Sequence, residues 1–258
     1  MRPRPGTPPP PDRSDALAPE RATAFEALVD DYDAARPSYP PALFEELAPL
    51  AGRRVLELGA GTGLATAGLL AAGADVVATD LGPRMLGRLH AKHPAVPVAV
   101  ARAEALPFAA ASFDVVCGAQ MWHWVDVPRA VASVRRVLRP GGRLAVWWND
   151  VAADGEPWYE AQQARLEAAS PGYSRGYRTR AYDDELRDAF VDVRTTTASW
   201  SRTLDWPTYE RWLRSRSYVQ AVPDLAAFLA AERASLAEAF PDGRIVEPFT
   251  VRLVVAVR

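Results

Sequence analysis

Val55-Leu56-Glu57-Leu58-Gly59-Ala60-Gly61-Thr62-Gly63-Leu64 is the stretch on which the fold turns. A short aliphatic run ends in three alternating glycines and passes at once into helix-forming residues, so backbone can approach a ligand with no Cβ in the way. The following apolar run, Val76-Val77-Ala78-Thr79-Asp80, ends in an acid. An ionised carboxylate there accepts hydrogen bonds from both hydroxyls of a ribose. Glycine turn and acid together predict an adenosine-containing ligand at the carboxyl edge of a parallel sheet.

Working outward, β-branched apolar runs at 54–58, 75–79, 97–101, 113–118 and 143–148 alternate with amphipathic stretches at 62–72, 83–92 and 127–138. This is the signature of parallel strands joined by crossover helices. Pro83 suits a first helical turn, and Pro140-Gly141-Gly142 predicts a sharp stop before the fifth strand. Upstream, two short helices are expected before the first strand. Downstream, helices are expected at 156–169, ending near Phe190, at 207–219 and at 225–240, with strands at 191–203 and 249–257. The fold class is α/β: a doubly wound, mostly parallel seven-stranded sheet with an antiparallel edge hairpin and helical cap insertions.

The spacing of the glycines decides between ligands. A dinucleotide fingerprint reads G-x-G-x-x-G, whereas Gly59, Gly61 and Gly63 alternate and Leu64 stands where the third glycine would fall. Glu57, just before the turn, suits an ammonium better than a pyrophosphate. S-adenosylmethionine carries an ammonium, a ribose and an adenine and no phosphate. The alternative of an NAD(P)-dependent oxidoreductase is further weakened because Lys92 is the only lysine and Arg88 precedes it by four, leaving no Tyr-x-x-x-Lys pair. A non-catalytic S-adenosylmethionine-binding regulatory protein is the other alternative.

Glu57-Leu58-Gly59-Ala60-Gly61-Thr62-Gly63, Asp80, Ala103-Glu104-Ala105-Leu106-Pro107-Phe108, Ser112-Phe113-Asp114-Val115-Val116 and Arg136-Val137-Leu138-Arg139-Pro140-Gly141-Gly142 resemble, in order, the motifs of class I S-adenosylmethionine-dependent methyltransferases. The resemblance spans residues 25–150. Tyr32-Asp33-Ala34-Ala35-Arg36-Pro37-Ser38-Tyr39-Pro40 and Ala119-Gln120-Met121-Trp122-His123-Trp124 narrow it to the small-molecule, type 11 group that includes trans-aconitate and quinone methyltransferases. It implies that Glu57 and Gly59 hold the methionine end, with Ala60 and Gly61 also binding the cofactor, that Asp80 binds the ribose with Leu81 beside the adenine, and that Ala103 and Glu104 bracket the adenine edge. Gln120 would lie below the sulfonium, and Tyr32, Arg36 and Tyr39 would form a lid. It also implies a division into a proline-rich tail (1–19) and one methyltransferase domain (20–258), the latter made of lid helices (20–50), a cofactor-binding core (51–150) and an acceptor-pocket and cap region (151–258).

His123 follows the fourth strand, where an imidazole is placed to take a proton from an acceptor, and is the candidate catalytic residue. Trp122, Trp124, Trp148, Tyr173 and Tyr177 are the candidate acceptor-binding residues and suggest an apolar or aromatic acceptor, whose nucleophilic atom the sequence does not fix. Trp147 and Trp148 are consecutive on a strand and must face opposite sides. With three histidines and one cysteine, Cys117, no zinc-ligand spacing is present and no metal is expected. A net charge of -2 argues against a broad nucleic-acid surface, and no apolar run reaches the roughly 20 residues that cross a bilayer. Seven prolines in residues 1–19 disfavour helix and sheet there and offer no secretory core, so a cytoplasmic protein with a small-molecule partner is expected.

Overall fold

The short aliphatic runs pair as one sheet in the structure of the protein, a computed structural model that describes residues 35–175 and 183–258. The strands are β1 (Arg54–Leu58), β2 (Asp75–Asp80), β3 (Val98–Val100), β4 (Phe113–Ala119), β5 (Leu138–Val151), β6 (Val191–Leu204) and β7 (Ile245–Val257), in the order β3-β2-β1-β4-β5-β7-β6. Strands β1 to β5 pair in parallel, and β7 runs antiparallel to both β5 and β6. The order reverses between β1 and β4, so a crevice opens at their carboxyl ends.

Period-two alternation sends Val55, Ala78, Cys117 and Trp147 to one face and Leu56, Val77, Val116 and Trp148 to the other, where each set joins its own core. The first face is covered by α1 (Pro41–Glu46), α2 (Leu64–Ala71) and α3 (Pro83–Lys92), through Phe44, Leu69 and Leu89; the second by α4 (Val127–Val137) and α6 (Asp183–Arg187). Helix α4 starts cleanly because Asp126 accepts from the Arg129 N–H and Pro128 lies in its first turn. A third core lies in a helical cap: α5 (Pro157–Ala169), α7 (Trp206–Arg214), α8 (Ser217–Gln220) and α9 (Leu225–Ala239), packed on the ends of β6 and β7.

Three expectations are corrected. Pro140-Gly141-Gly142 does not separate helix from strand: β5 begins at Leu138 and carries these residues as a bulge between the pairs Phe113/Leu138 and Val115/Arg143, with Gly141 at φ +73°. The last strand starts at Ile245, not 249, because Pro248 lies beyond the end of β5, where one side of β7 has no ladder partner to lose. The expected helix 207–219 is two, since Ser215 bonds back to the Trp212 carbonyl and Arg216 turns extended. One helix precedes β1 among the described residues; the tail 1–19 and the rest of the expected upstream helix lie outside them.

Candidate functional site

The glycine turn and the ends of β1 to β4 enclose a cleft open to solvent. Its floor is Gly59 and Gly61 on one side and Asp80, Leu81 and Gly82 on the other. Asp80 ties the two together: Oδ2 accepts from the Gly61 N–H and Oδ1 from the Gly82 N–H, each at 2.8 Å. Gly61 sits at φ +55° with nothing within 4 Å of where a Cβ would be, so any side chain there would project into open space at the cleft. A Cβ on Gly59 would meet Met121 Cβ at 2.9 Å. The two glycines thus serve different ends, one access and one packing.

Along the wall, Met85, Leu81, Ala103, Trp124 and Val125 make an apolar slot suited to a flat heteroaromatic ring. Glu104 lines it too, and is no solvated loop acid: Oε1 accepts from the Asp126 N–H at 3.0 Å and the side chain is 7% exposed. At the β4 end stands Gln120, a non-glycine residue at φ +55°. Its backbone N–H donates to the Trp147 carbonyl and its amide Nε2 to the Asn149 carbonyl. Such backbone outliers persist where packing over-determines them. Met121, Met85 and Arg102 also line the cleft and were not singled out from the sequence; Met121 and Arg102 lie within or beside a motif, and Met85 in the first turn of α3.

Several expected site residues lie elsewhere. Glu57 is turned under the glycine turn, where Oε2 accepts from the Thr66 hydroxyl at 2.6 Å; burial, with the nearby Asp80 charge adding to it, pushes its carboxyl up to about 8. Ala60 packs in the core, its N–H donating to the Thr79 carbonyl and its carbonyl accepting from the Gly63 N–H. Trp122 is fully buried in the core rather than facing an acceptor, and Trp124 faces the cleft. Trp148 is also buried, with the Arg252 guanidinium over its ring at 4.6 Å. Its Nε1–H donates to His123 Nδ1 at 3.3 Å, so in the neutral ring the proton sits on Nε2 and the Nδ1 lone pair is engaged. Arg36 docks on the cap, donating to the Ser215 carbonyl, while Tyr39 packs edge-on against Trp147. Tyr173 belongs to the cap, its hydroxyl donating to Gln163. Tyr32 and Tyr177 lie outside the described residues.

Residues 56–146 match the family model described as a methyltransferase domain. Within those residues the chain carries the sequence pattern of that methyltransferase domain. An uncharacterized methyltransferase of Mycobacterium tuberculosis is 48% identical over 130 residues, covering 50% of this chain and 54% of that protein. The chain thus spans about half the length of the curated relatives it matches. Over the whole fold, the chain resembles a solved structure described as a type II methyltransferase of Anaeromyxobacter dehalogenans, with TM-score 0.63 and 29% identity, covering 86% of this chain and 96% of that one. It shares its fold with a phosphoethanolamine N-methyltransferase of Haemonchus contortus, solved with phosphomonomethylethanolamine and S-adenosylhomocysteine, at TM-score 0.55 and 18% identity, covering 98% of this chain and 61% of that one.

Among the described residues, no three His, Cys, Asp or Glu side chains gather as a metal site, and no helix is long and apolar enough to cross a membrane.

Proposed function

We propose that this methyltransferase moves a methyl group from S-adenosylmethionine to a small-molecule acceptor. The observation that carries the reading is the Asp80 carboxylate, clamped between the Gly61 and Gly82 N–H groups at the cleft floor. The residues fit the group: a diol for Asp80, a planar ring for the slot of Leu81, Ala103 and Trp124, and backbone bared at Gly61. The cofactor supplies a methyl already activated by a positively charged sulfur.

What remains for the chain is to bind, align and exclude water. Asp80 fixes the nucleoside, and the Met121 side chain closes over Gly59, keeping water from the turn. Gln120 presents its amide across the β4–β5 end, where its bond to the Asn149 carbonyl holds it against rotation. His123 offers an Nε2–H rather than a base, which suits an acceptor that is already deprotonated or carries a hydrogen-bond acceptor. Calorimetry with S-adenosylmethionine and with NADH, followed by transfer of a labelled methyl group to a panel of organic acids, phenols and amines, tests the reading. Heat with NADH alone would replace it by the oxidoreductase, and binding without transfer to any acceptor by the regulatory protein.

A further inference from the structure

Three guanidiniums gather at the amino end of the sheet, opposite the cleft. Arg53 leads into β1, Arg143 lies on β5 and Arg194 on β6. Period-two alternation puts them on one face: Arg53 and Arg143 stand two residues before Val55 and Ala145, and Arg194 pairs with Val255, all of which join the first-face core.

The end of α1 holds two of them in place. Arg143 Nη2 donates to the Leu47 carbonyl at 2.9 Å and Nη1 to the Ala48 carbonyl at 3.3 Å, while Arg194 Nη2 donates to the Glu46 carbonyl at 3.4 Å. Consecutive carbonyls thus bring the two guanidiniums side by side, since neighbouring Cα atoms are only ~3.8 Å apart. The Arg53 backbone closes on the same segment, its N–H donating to the Leu50 carbonyl, and its exposed side chain bonds to nothing among the described residues. Capping the carbonyl end of α1 accounts for the bonds of Arg143 and Arg194 but not for Arg53, whose side chain takes no part in it.

The three charges act on one another. Burial lowers the proton affinity of the half-buried Arg143, and the charges of Arg194 and Arg53 lower it further. Among the described residues no carboxylate forms an ion pair with any of the three, Glu45 and Glu46 of α1 included. The other charges of this edge are engaged elsewhere: Asp114 accepts from Arg139 and from the Arg54 N–H, the Arg54 guanidinium lies over Phe113, and Arg258 donates to the Leu138 carbonyl. A guanidinium cannot shed its charge at ordinary pH, so the repulsion persists until an anion offsets it.

We propose that Arg53, Arg143 and Arg194 form a binding site for a phosphate group. A phosphate brings about two negative charges spread over oxygens that several guanidinium forks can share, whereas a carboxylate brings one. Donors remain for it on the whole Arg53 fork and on Arg194 beyond its single carbonyl bond. The site lies at the amino ends of the strands and the cleft at the carboxyl ends of β1 to β4, so its ligand is neither the methyl donor nor the acceptor. With a net charge of -2 on the chain, and Arg139 paired with Asp114, it is a point site and not part of a basic stripe along which a nucleic acid would lie.

The test is thermal melting of the full chain in sodium phosphate and in sodium chloride at matched ionic strength and pH, with phosphorus NMR titrations of inorganic phosphate and of glycerol 3-phosphate. Wild type is expected to melt higher in phosphate than in chloride, and added salt to weaken the binding. Arg53→Gln and Arg194→Gln are each expected to weaken phosphate by about threefold and together by about tenfold, the scale of exposed charge pairs, with S-adenosylmethionine affinity unchanged. Arg53→Glu supplies the acid that the cluster lacks, so it is expected to raise the melting temperature in chloride and to abolish the difference between the two salts. Arg53→Gln and Arg53→Glu alter a side chain that bonds to nothing, so both fold and keep the comparison open should Arg194→Gln not. Tighter binding of glycerol 3-phosphate than of inorganic phosphate assigns the site to a phosphate ester, and the reverse assigns it to free phosphate. Equal melting of wild type in the two salts, binding of neither ligand, or a phosphate effect undiminished by Arg53→Gln and Arg53→Glu would each overturn the proposal. So would variants that melt lower by the same amount in both salts, which would leave these arginines as caps of α1.

Discussion

Replacing Asp80 with alanine removes two things at once. The ribose loses its charged acceptor, and the Gly61 and Gly82 N–H groups lose the oxygens they reach at 2.8 Å. A hydrogen bond to a charged group contributes about 1.5–3 kcal/mol net. Two ribose hydroxyls at the low end of that range amount to about 3 kcal/mol, or roughly a hundredfold in affinity at about 1.4 kcal/mol per tenfold. Asp80→Asn separates the two effects. One amide oxygen still accepts, but the amide nitrogen faces a backbone N–H, donor against donor, so affinity is expected to fall by a similar factor while the side-chain volume is kept. The assay is titration calorimetry with S-adenosylmethionine, alongside thermal melting to confirm folding. A folded Asp80→Ala variant with wild-type affinity would refute the reasoning, because among the described residues Asp80 is the carboxylate at the cleft floor, Glu104 lining the wall.

At Gly61, valine is both strained by φ +55° and aimed into the cleft, so Gly61→Val is expected to abolish cofactor binding with little change in the fold's circular dichroism; an unfolded variant would assign the glycine a purely structural role. Glu57, with its carboxyl pushed up to about 8 by burial, is protonated in the folded protein where the unfolded chain ionises from about 4.5 upward. The unfolded state then holds fewer protons, so stability falls as pH rises from about 4.5 to about 8, by up to about 1.4 kcal/mol per pH unit, and levels off above. Denaturant titrations are expected to show this slope in the wild type and to lose it in Glu57→Gln; identical slopes would place the Glu57 carboxyl in contact with water. For His123, nitrogen NMR of the neutral ring is expected to find the proton on Nε2, and His123→Ala to lower turnover on a carboxylate acceptor by less than about tenfold. A loss of two or more powers of ten on a phenol, with the proton found on Nδ1, would instead assign His123 as the base.

The sheet and its crossover helices were legible because parallel strands covered on both faces read as unbroken aliphatic runs, and the glycine turn with Asp80 marks the point where the strand order reverses. Gly59, Gly61, Asp80, Leu81, Ala103, Glu104, Gln120 and Trp124 line the cleft as their positions at strand ends imply. Residue type misleads where facing decides. Glu57 lies one residue from Leu58, and the pleat turns it under the sheet. Trp122 and Trp148 are large enough to be either wall or core, and local periodicity inside a single turn of helix or at a strand end does not say which. The Arg53, Arg143 and Arg194 cluster was illegible for another reason: its members come from the lead-in to β1, from β5 and from β6, and only tertiary packing brings them together. The break at Ser215 that orients Arg216 depends on a hydroxyl bonding to the preceding turn, which competes with a continued helix without announcing itself in the apolar pattern.

The central claim is that the cleft between the glycine turn and Asp80 takes S-adenosylmethionine. Titration of the full chain with S-adenosylmethionine, S-adenosylhomocysteine and NADH, each in wild type and Asp80→Ala, tests it most directly. One site for each of the two sulfur nucleosides, weakened together by the substitution, with no heat from NADH, is the predicted result. Binding of NADH that Asp80→Ala abolishes, with no binding of either sulfur nucleoside, would contradict it.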